Sequence, residues 1–285
     1  YDQICFSGAN LHWQIIREHP AFAGQMLGSQ VIECPQSRTI SFPDGCQPLG
    51  AWQYDATQQP VPLVIADARV TSTLTTPHTV RLVYAISKGF DYLSNAACAA
   101  LRGVVHDAFL REAGQFFGDV IVGSFQDELP SMPSWSHDFA ATFHNAHGYD
   151  ITQELIALYQ GTDERSAQIR IDYQQWRAQR AEQAFFKPFY DWHATHGLIC
   201  GFDQQSPARM ALPIGAVDEY ADYMHTHRWY GAPGSDHHGN GKIHSSMAHL
   251  YGHPRSWIEA FHSSGWGGTL EETFDWLVTW LRAGL

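Results

Sequence analysis

Two glutamates that follow short apolar segments are the side chains best suited to catalysis in this sequence. Glu128 comes after the apolar run of residues 120–122, and Glu259 lies near the end of residues 256–261. Cleavage of a glycosidic bond requires two carboxyl groups, because one protonates the leaving oxygen while the other attacks the sugar or activates water. The alternative is that both acids only form ion pairs. We favour the catalytic interpretation, since acids at the ends of buried strands are frequently functional.

Other polar and aromatic side chains near these segments are candidates for holding a substrate. Asp127 is expected to support Glu128 by hydrogen bonding, because successive residues of a strand point in opposite directions. A second apolar segment, residues 198–202, also leads into an acid. Tryptophans beside polar loops can stack on sugar rings, although core packing is the more frequent position of a single tryptophan. The candidates for substrate binding are Asp127, Trp135, Asp203, Asp236, His237, His262 and Trp266.

The histidines offer a different chemistry. The chain has 17 of them, crowded toward its carboxyl-terminal part. His225 and His227 form an HxH pair, whose side chains share one face if the segment is a strand. Such pairs occur in some metal-dependent hydrolases, but no further set of His and Asp residues shows metal-ligand spacing. The alternative is that these histidines hydrogen-bond hydroxyl groups or cap strand ends. The loop that holds Asp236 and His237 either lines a pocket or is simply solvated.

Length and composition exclude several classes of protein. With 285 residues, of which 44% are hydrophobic, the chain is long enough for one large globular α/β domain. A net charge of −12 argues against nucleic acid as a partner, and no apolar run reaches the length of a membrane span. The five cysteines are scattered without a CxxC motif, so they indicate neither a disulfide framework nor a zinc ribbon. Secreted, periplasmic and cytoplasmic locations are all left open.

The first part of the chain, residues 1–88, is predicted to contain a helix and a small β-rich segment. Residues 11–19 have the pattern of a helix, which Pro20 ends. Short apolar and β-branched runs follow, separated by Pro, Gly, Asp and Gln, and they indicate a mainly antiparallel sheet. The last run is also compatible with a barrel strand. The predicted strands are residues 31–32, 39–42, 63–65 and 80–86.

From residue 89 to residue 285, strands and helices alternate, which predicts a parallel sheet. A TIM-type barrel is favoured over a doubly wound sheet, because no Gly-rich phosphate loop follows any strand. Only about four to six barrel strands are recognisable where a closed barrel needs eight, so we expect a partial barrel. One helix is predicted to begin after Ser94. The others are predicted at residues 136–147, 164–196, 217–224, 246–251 and 269–284, and Pro188 is expected to kink or break the second of these.

The last predicted helix has the clearest sequence signals. Thr269 and Glu272 form a capping box at its start, and Gly284 closes it. We expect its apolar stripe to pack on the outside of a sheet that lacks its next strand. The stripe consists of Phe274, Leu277, Val278 and Leu281.

Five short sequence motifs occur in a characteristic order and spacing, namely Gly-Phe-Asp-Tyr-Leu at residues 89–93, Gly-Ser-Phe-Gln-Asp-Glu-Leu-Pro at 123–130, Gly-Tyr-Asp at 148–150, Ala-His-Leu-Tyr-Gly at 248–252 and Trp-Ile-Glu-Ala-Phe-His-Ser-Ser-Gly-Trp-Gly at 257–267. Together they resemble one group of glycoside hydrolases, the α-L-rhamnosidase-like barrels of family 106 and their relatives. The resemblance spans residues 80–285. It implies a TIM-type barrel with catalytic acids on the fourth and seventh strands, and Glu128 and Glu259 match those positions.

The resemblance also has implications for mechanism and cofactors. It implies hydrolysis of a plant or microbial glycan, with α-L-rhamnosides among the candidate substrates. Glu128 is then the general acid and Glu259 the base of an inverting mechanism. Members of the family can bind calcium, for which Asp203 and Asp236 are candidates, although no segment has recognisable calcium-loop spacing. Gln126 departs from the family pattern directly before the acids. Relatives also carry further strands before and after the part that this chain matches.

Two other classes of function compete with a glycoside hydrolase. A metal-dependent hydrolase on the same barrel would use His225 and His227, and stoichiometric zinc in the purified protein would favour it. A non-catalytic carbohydrate-binding protein would use the acids and aromatic rings only to hold a glycan. Assays against a panel of aryl glycosides would separate that protein from an enzyme.

Overall fold

The chain forms two compact units in the computed structural model, which describes residues 9–56, 59–126, 129–203, 222–235, 241–261 and 265–285. One of them, here called the sheet unit, comprises Ala23–Asp91 and Pro133–Arg177. The other, here called the parallel-strand unit, comprises Tyr1–Phe22, Tyr92–Met132 and Ala178–Leu285. The boundary expected near residue 88 stays a prediction.

The secondary structure alternates between strands and helices over most of the chain. The strands in the described residues are β1 (Ala23–Cys34), β2 (Thr39–Ser41), β3 (Gln47–Tyr54), β4 (Val61–Pro62), β5 (Arg69–Thr71), β6 (His78–Phe90), β7 (Gly123–Gln126), β8 (Ile199–Phe202), β9 (Gly234–Ser235) and β10 (Trp257–Ile258). The α-helices there are α1 (Ala9–Glu18), α2 (Asn95–Ala113), α3 (Phe139–His147), α4 (Glu164–Ala181), α5 (Lys187–Thr195), α6 (Tyr223–Thr226), α7 (Gly241–Tyr251) and α8 (Leu270–Ala283). None of the described helices is long and apolar enough to cross a lipid bilayer.

The sheet unit is built on an antiparallel sheet with the strand order β1-β6-β3-β4. Strand β6 lies between β1 and β3 and is antiparallel to both, so it is not a strand of a parallel barrel, and that expectation was wrong. The expected runs at residues 31–32, 39–42 and 80–86 lie in or overlap β1, β2 and β6. A buried apolar cluster covers one side of the sheet, consisting of Cys34, Ile40, Phe42, Ala51, Val70, Val80 and Leu82.

Strand β3 was not predicted from the sequence. It contains Pro48 and Gly50, which usually mark turns or bulges, and the register does shift between these two residues. Gly50 is required there because a Cβ atom would lie 2.2 Å from the ring of Trp52. The local signal of a turn therefore concealed a strand that long-range pairing with β6 stabilises.

The parallel-strand unit contains two pairs of parallel strands. Strand β7 pairs with β8, and β9 pairs with β10. The backbone N–H of Gly231, just before β9, donates to the carbonyl of Cys200 in β8 at 2.8 Å, which connects the two pairs. Helices α3 to α5 separate β7 from β8 in sequence, and α7 separates β9 from β10, as expected of strand-helix-strand units. Within the described residues, these strands do not close into a barrel.

The strand that precedes Glu128 begins later than predicted. Residues 120–122 were expected to be a buried strand, but Val120 and Val122 are 71% and 55% exposed. The N–H of Val120 donates to the carbonyl of Phe116, so the chain is still in a turn at this point. Strand β7 starts only at Gly123, where the missing side chain lets the Ile199 carbonyl approach. The third predicted strand, residues 256–261, is similarly shortened to the two residues of β10.

Pro188 splits the long helix, as predicted. Helix α4 runs into a single π-helical turn, Glu182–Phe186, before α5 begins at Lys187. Proline has no N–H to donate and its ring would clash with the carbonyl of Ala184 in a regular α-helix. The wider π turn avoids this clash while the chain continues in the same direction.

The predicted helix caps are present, but the stripe of the last helix is exposed. The Ser94 hydroxyl accepts from Ala97 N at 3.3 Å, and Thr269 and Glu272 form the expected capping box. On α8, Phe274 and Leu281 are 65% and 64% exposed. Helix α8 packs on α7 through other residues, since Ser245 donates a hydrogen bond to the carbonyl of Ala283.

Two glycines test the account of the β7–β8 pair. A Cβ atom at Gly123 would lie 2.6 Å from the backbone carbonyl oxygen of Ile199, so we expect Gly123→Ala to lower the free energy of unfolding by about 1–3 kcal/mol. Gly103 lies inside α2, and its nearest neighbour is 4.0 Å from a built Cβ. Gly103→Ala should therefore stabilise the protein by about 0.5–1 kcal/mol. Urea unfolding measures both, and equal effects of the two substitutions would contradict the close approach at Gly123.

Candidate functional site

Strands β7 and β8 are parallel to each other, and so are β9 and β10. The residues that lead into the strands, Val122, Leu198, Ala232 and Arg255, line one common cavity. The two strands of each pair therefore also end on the same side, here called the carboxyl edge. In α/β proteins with parallel strands, the carboxyl edge is where catalytic side chains are placed.

Asp203 is at the centre of this carboxyl edge. It directly follows β8, and its side chain is completely buried. Its backbone N–H donates to the carbonyl of Gln126 at 2.8 Å, and its own carbonyl accepts from Leu129 N at 2.8 Å. The two hydrogen bonds hold the chain on both sides of the Asp127–Glu128 dipeptide. Asp127 and Glu128 themselves lie outside the described residues.

Glu259 follows β10 at the same edge and is partly buried. It comes two positions after Trp257, so an extended chain places both side chains on one face. The ring of Trp257 contacts Phe125 of β7 edge-on at 4.9 Å between centroids. Because of this contact, the face of β10 that carries Trp257 is directed toward β7. Phe125 is the residue of β7 that lies two positions before Asp127.

The chain turns sharply after Glu259. Phe261 has a φ of 63°, which is in the left-handed region that bulky residues seldom adopt. Its ring contacts Trp276 of α8 at 5.1 Å, which compensates part of the backbone strain. Strain of this kind is concentrated at functional sites. The turn redirects the chain immediately beyond the second candidate acid.

Two aromatic rings, here called the aromatic floor, each cover a glycine of a neighbouring strand. Phe125 covers Gly201, where a Cβ atom would lie 3.1 Å from the ring, and Trp257 covers Gly234, where a Cβ atom would lie 2.3 Å from the indole. Side chains at the two glycines would displace the rings. The sequence analysis missed this arrangement, although glycine inside a strand is a known sign that another group approaches the backbone.

Within the described residues, the other predicted substrate-binding residues do not lie at this edge. Trp135 belongs to the sheet unit, is 2% exposed and stacks on Phe139 at 4.6 Å between centroids. It therefore has the core-packing position that was the alternative to sugar stacking. Trp266 is fully exposed. Asp236, His237 and His262 lie outside the described residues.

The HxH pair does not have the geometry expected of it. His225 is in α6 and His227 is in the 3-10 turn that follows, so the segment is helical and not a strand. His225 lies 2.9 Å from a carboxylate oxygen of Glu182, whereas His227 is completely buried. Among the described residues, no three His, Cys, Asp or Glu side chains are grouped as metal ligands. The strand on which the metal-pair alternative depended is therefore absent.

His227 instead forms a buried cluster with a second histidine. Its Nδ1 donates to the carbonyl of Tyr223 at 2.8 Å, and the Tyr223 hydroxyl lies 2.9 Å from Nε2 of His244. Burial lowers the pKa of His244 to about 3 and holds the pKa of His227 well below its ordinary value. Both imidazoles are therefore neutral at physiological pH and act as structural groups in the core.

In its fold, this chain resembles part of a glycoside hydrolase. The structure in question is a rhamnosidase from Novosphingobium sp. PP1Y, which superimposes with a TM-score of 0.56 at 13% sequence identity. The similarity covers 91% of this chain and 36% of the rhamnosidase chain, so this chain spans about a third of the length of that structure. No model of a known protein family matches the chain, and no curated protein matches it in sequence.

The buried histidines predict a loss of stability in mild acid. A histidine with a lowered folded-state pKa adds stability above its unfolded pKa of about 6.5, and this stability is lost as the pH falls toward the folded value. For His244 the loss extends from about pH 6.5 toward pH 3. Urea unfolding at pH 7.5 and pH 5 should show that His244→Gln reduces the difference between the two conditions by about 1–2 kcal/mol. The exposed His249 on the same helix gives the control, and a His249→Gln effect of equal size would contradict this assignment.

Proposed function

We propose that this chain carries the catalytic edge of a glycoside hydrolase, built on part of a TIM-type barrel, with Glu128 and Glu259 as the catalytic acids. The observation that carries the proposal is the carboxyl edge of the parallel strands. There, the backbone of Asp203 holds the chain on both sides of Asp127–Glu128, and Glu259 follows a neighbouring strand. The structural similarity to part of a rhamnosidase supports the same class of reaction.

The roles of the two glutamates follow from the chemistry of glycosidic bonds. Glu128 protonates the leaving oxygen, and Glu259 removes a proton from the attacking water. We assign inversion, in which about 6.5–9.5 Å separates the two carboxyl groups and leaves room for that water. Asp203, buried between the two strand ends, fixes the position of the Glu128 segment through its backbone and adds a carboxyl group to the edge.

The aromatic floor favours a deoxysugar as the substrate. Rhamnose carries a methyl group where most hexoses carry a hydroxymethyl group, so one end of the sugar is apolar. Phe125 and Trp257 offer apolar surface on β7 and β10, the strands that precede Glu128 and Glu259. Stacking and methyl contacts on such rings stabilise binding without competing for the hydrogen bonds that orient the hydroxyl groups. An α-L-rhamnoside is therefore the substrate that we propose.

Leaving-group dependence tests the role of Glu128. In the Glu128→Gln variant, kcat for alkyl α-L-rhamnosides should fall by about 10²–10⁴-fold, because these leaving oxygens need a proton. Nitrophenyl α-L-rhamnoside should be affected much less, since nitrophenolate leaves without protonation. The matched control is Asp127→Asn, which changes the adjacent acid and should lower both rates similarly. Equal losses on both substrates for Glu128→Gln would remove Glu128 from the acid role.

The stereochemical outcome tests the role of Glu259. Proton NMR of the first-formed product should show the β-anomer of rhamnose released from an α-rhamnoside, because water attacks the face opposite to the leaving group. Release of the α-anomer would instead show retention and make Glu259 a nucleophile. Glu271, an exposed acid in the first turn of α8, gives the control position. Glu259→Gln should abolish turnover, and Glu271→Gln should leave it unchanged.

A further inference from the structure

A cavity of about 490 Å³ begins at the residues that lead into the parallel strands and extends along β7 as far as Phe125. The residues of α2 and α5 that line it come from the later turns of these helices, before the chain enters β7 and β8. The size falls in the range of small-molecule sites, which is roughly 300–1,000 Å³. All of its walls belong to the parallel-strand unit.

The walls of this cavity are mainly apolar. Aliphatic and aromatic side chains come from α2, from the turn before β7 and from the strands themselves. A volume of this size with such walls favours a ligand with an apolar body. The main apolar contributors are Val105, Phe109, Phe117, Ile121, Phe125 and Trp257.

Most polar groups of the cavity are already engaged or uncharged. The Ser124 hydroxyl lies 2.6 Å from Nε2 of His193, whose Nδ1 donates to the carbonyl of Phe189 at 2.7 Å. Burial lowers the pKa of His193 to about 4 and that of His106 to about 2, so both imidazoles are neutral near pH 7. These groups therefore provide neither a positive charge nor an uncommitted serine hydroxyl.

Two groups on the segment that leads into β10 remain available to a ligand. Arg255 is exposed at the rim, and the ion pairs within the described residues involve other side chains. The indole N–H of Trp257 is buried and has no acceptor among the described residues. Arg255 and Trp257 are two positions apart in extended chain, so both can face the same cavity. A guanidinium and an N–H donor on the wall of one cavity can both donate to the same carboxylate.

We propose that this cavity binds a small apolar carboxylate, with the carboxylate group held by Arg255 and the Trp257 indole N–H and the apolar body held among the rings and aliphatic side chains. The cavity shares the rings of Phe125 and Trp257 with the proposed catalytic edge, but its carboxylate binding does not depend on the function proposed for that edge. Decanoate is a suitable probe, because it has a flexible apolar chain and a single negative charge. Decanol, which has the same chain length and no charge, is the control ligand.

Isothermal titration calorimetry of the protein with each probe, below the critical micelle concentration of decanoate, tests the proposal. Decanoate should bind more tightly than decanol. Arg255→Gln should weaken decanoate binding by roughly two- to fivefold, and Trp257→Phe by about tenfold or more, with little change for decanol. Arg69→Gln, at an exposed arginine of the sheet unit, should change neither affinity.

A cavity-filling variant distinguishes binding inside this cavity from binding elsewhere on the protein. Ile121 is partly buried at the cavity wall, so Ile121→Trp should fold and should weaken both probes by occupying their space. Circular dichroism and urea unfolding confirm the fold of each variant. Equal affinity for decanoate and decanol, unchanged decanoate binding in both Arg255→Gln and Trp257→Phe, unchanged binding in Ile121→Trp, or no binding of either probe would each overturn the proposal.

Discussion

The parallel pairing of β7 with β8 is the interaction on which the rest of the parallel-strand unit depends. It requires a glycine at position 123, because the Ile199 carbonyl occupies the space that a side chain would need. The ladder continues beyond the strands into the two backbone hydrogen bonds of Asp203 with Gln126 and Leu129. Pairing between strands far apart in sequence thus fixes where the chain enters and leaves the Asp127–Glu128 dipeptide.

The same strands present different chemistry at their two ends. At the carboxyl ends, Asp203 follows β8 and Glu259 follows β10. At the amino ends, helices α2 and α5 bring apolar and uncharged side chains around a cavity. The rings of Phe125 and Trp257 contact each other in the wall of this cavity. Because each ring rests on a glycine of the neighbouring strand, the arrangement depends on Gly201 and Gly234 as much as on the rings.

Features with local causes could be predicted from the sequence. The caps at Ser94 and Thr269 involve residues only three positions apart, and the break at Pro188 follows from the chemistry of proline itself. Segment 198–202 was also recognisable, because a continuous apolar run is typical of a strand buried on both faces. The positions of Asp203 and Glu259 after strands could be inferred for the same reason.

Features with long-range causes could not be predicted. Residues 120–122 are as apolar as a buried strand, yet Val120 and Ile121 both donate to the carbonyl of Phe116 in a turn, and pairing with β8 begins only where the Val122 carbonyl accepts from Ile199. His225 and His227 have strand-like spacing, but the capping of α6 by Asp222 starts a helix there. Strand β3 was not predicted, because the pairing with β6 that stabilises it comes from residues more than twenty positions away.

The pH dependence of kcat/KM for an alkyl α-L-rhamnoside tests the central claim most directly. If Glu128 is the acid and Glu259 the base, the wild-type profile is bell-shaped, since one carboxyl group must be protonated and the other ionised. The account predicts that the residual activity of Glu128→Gln loses the alkaline limb and keeps the acidic limb. A Glu128→Gln profile with both limbs intact would contradict the assignment of the catalytic edge.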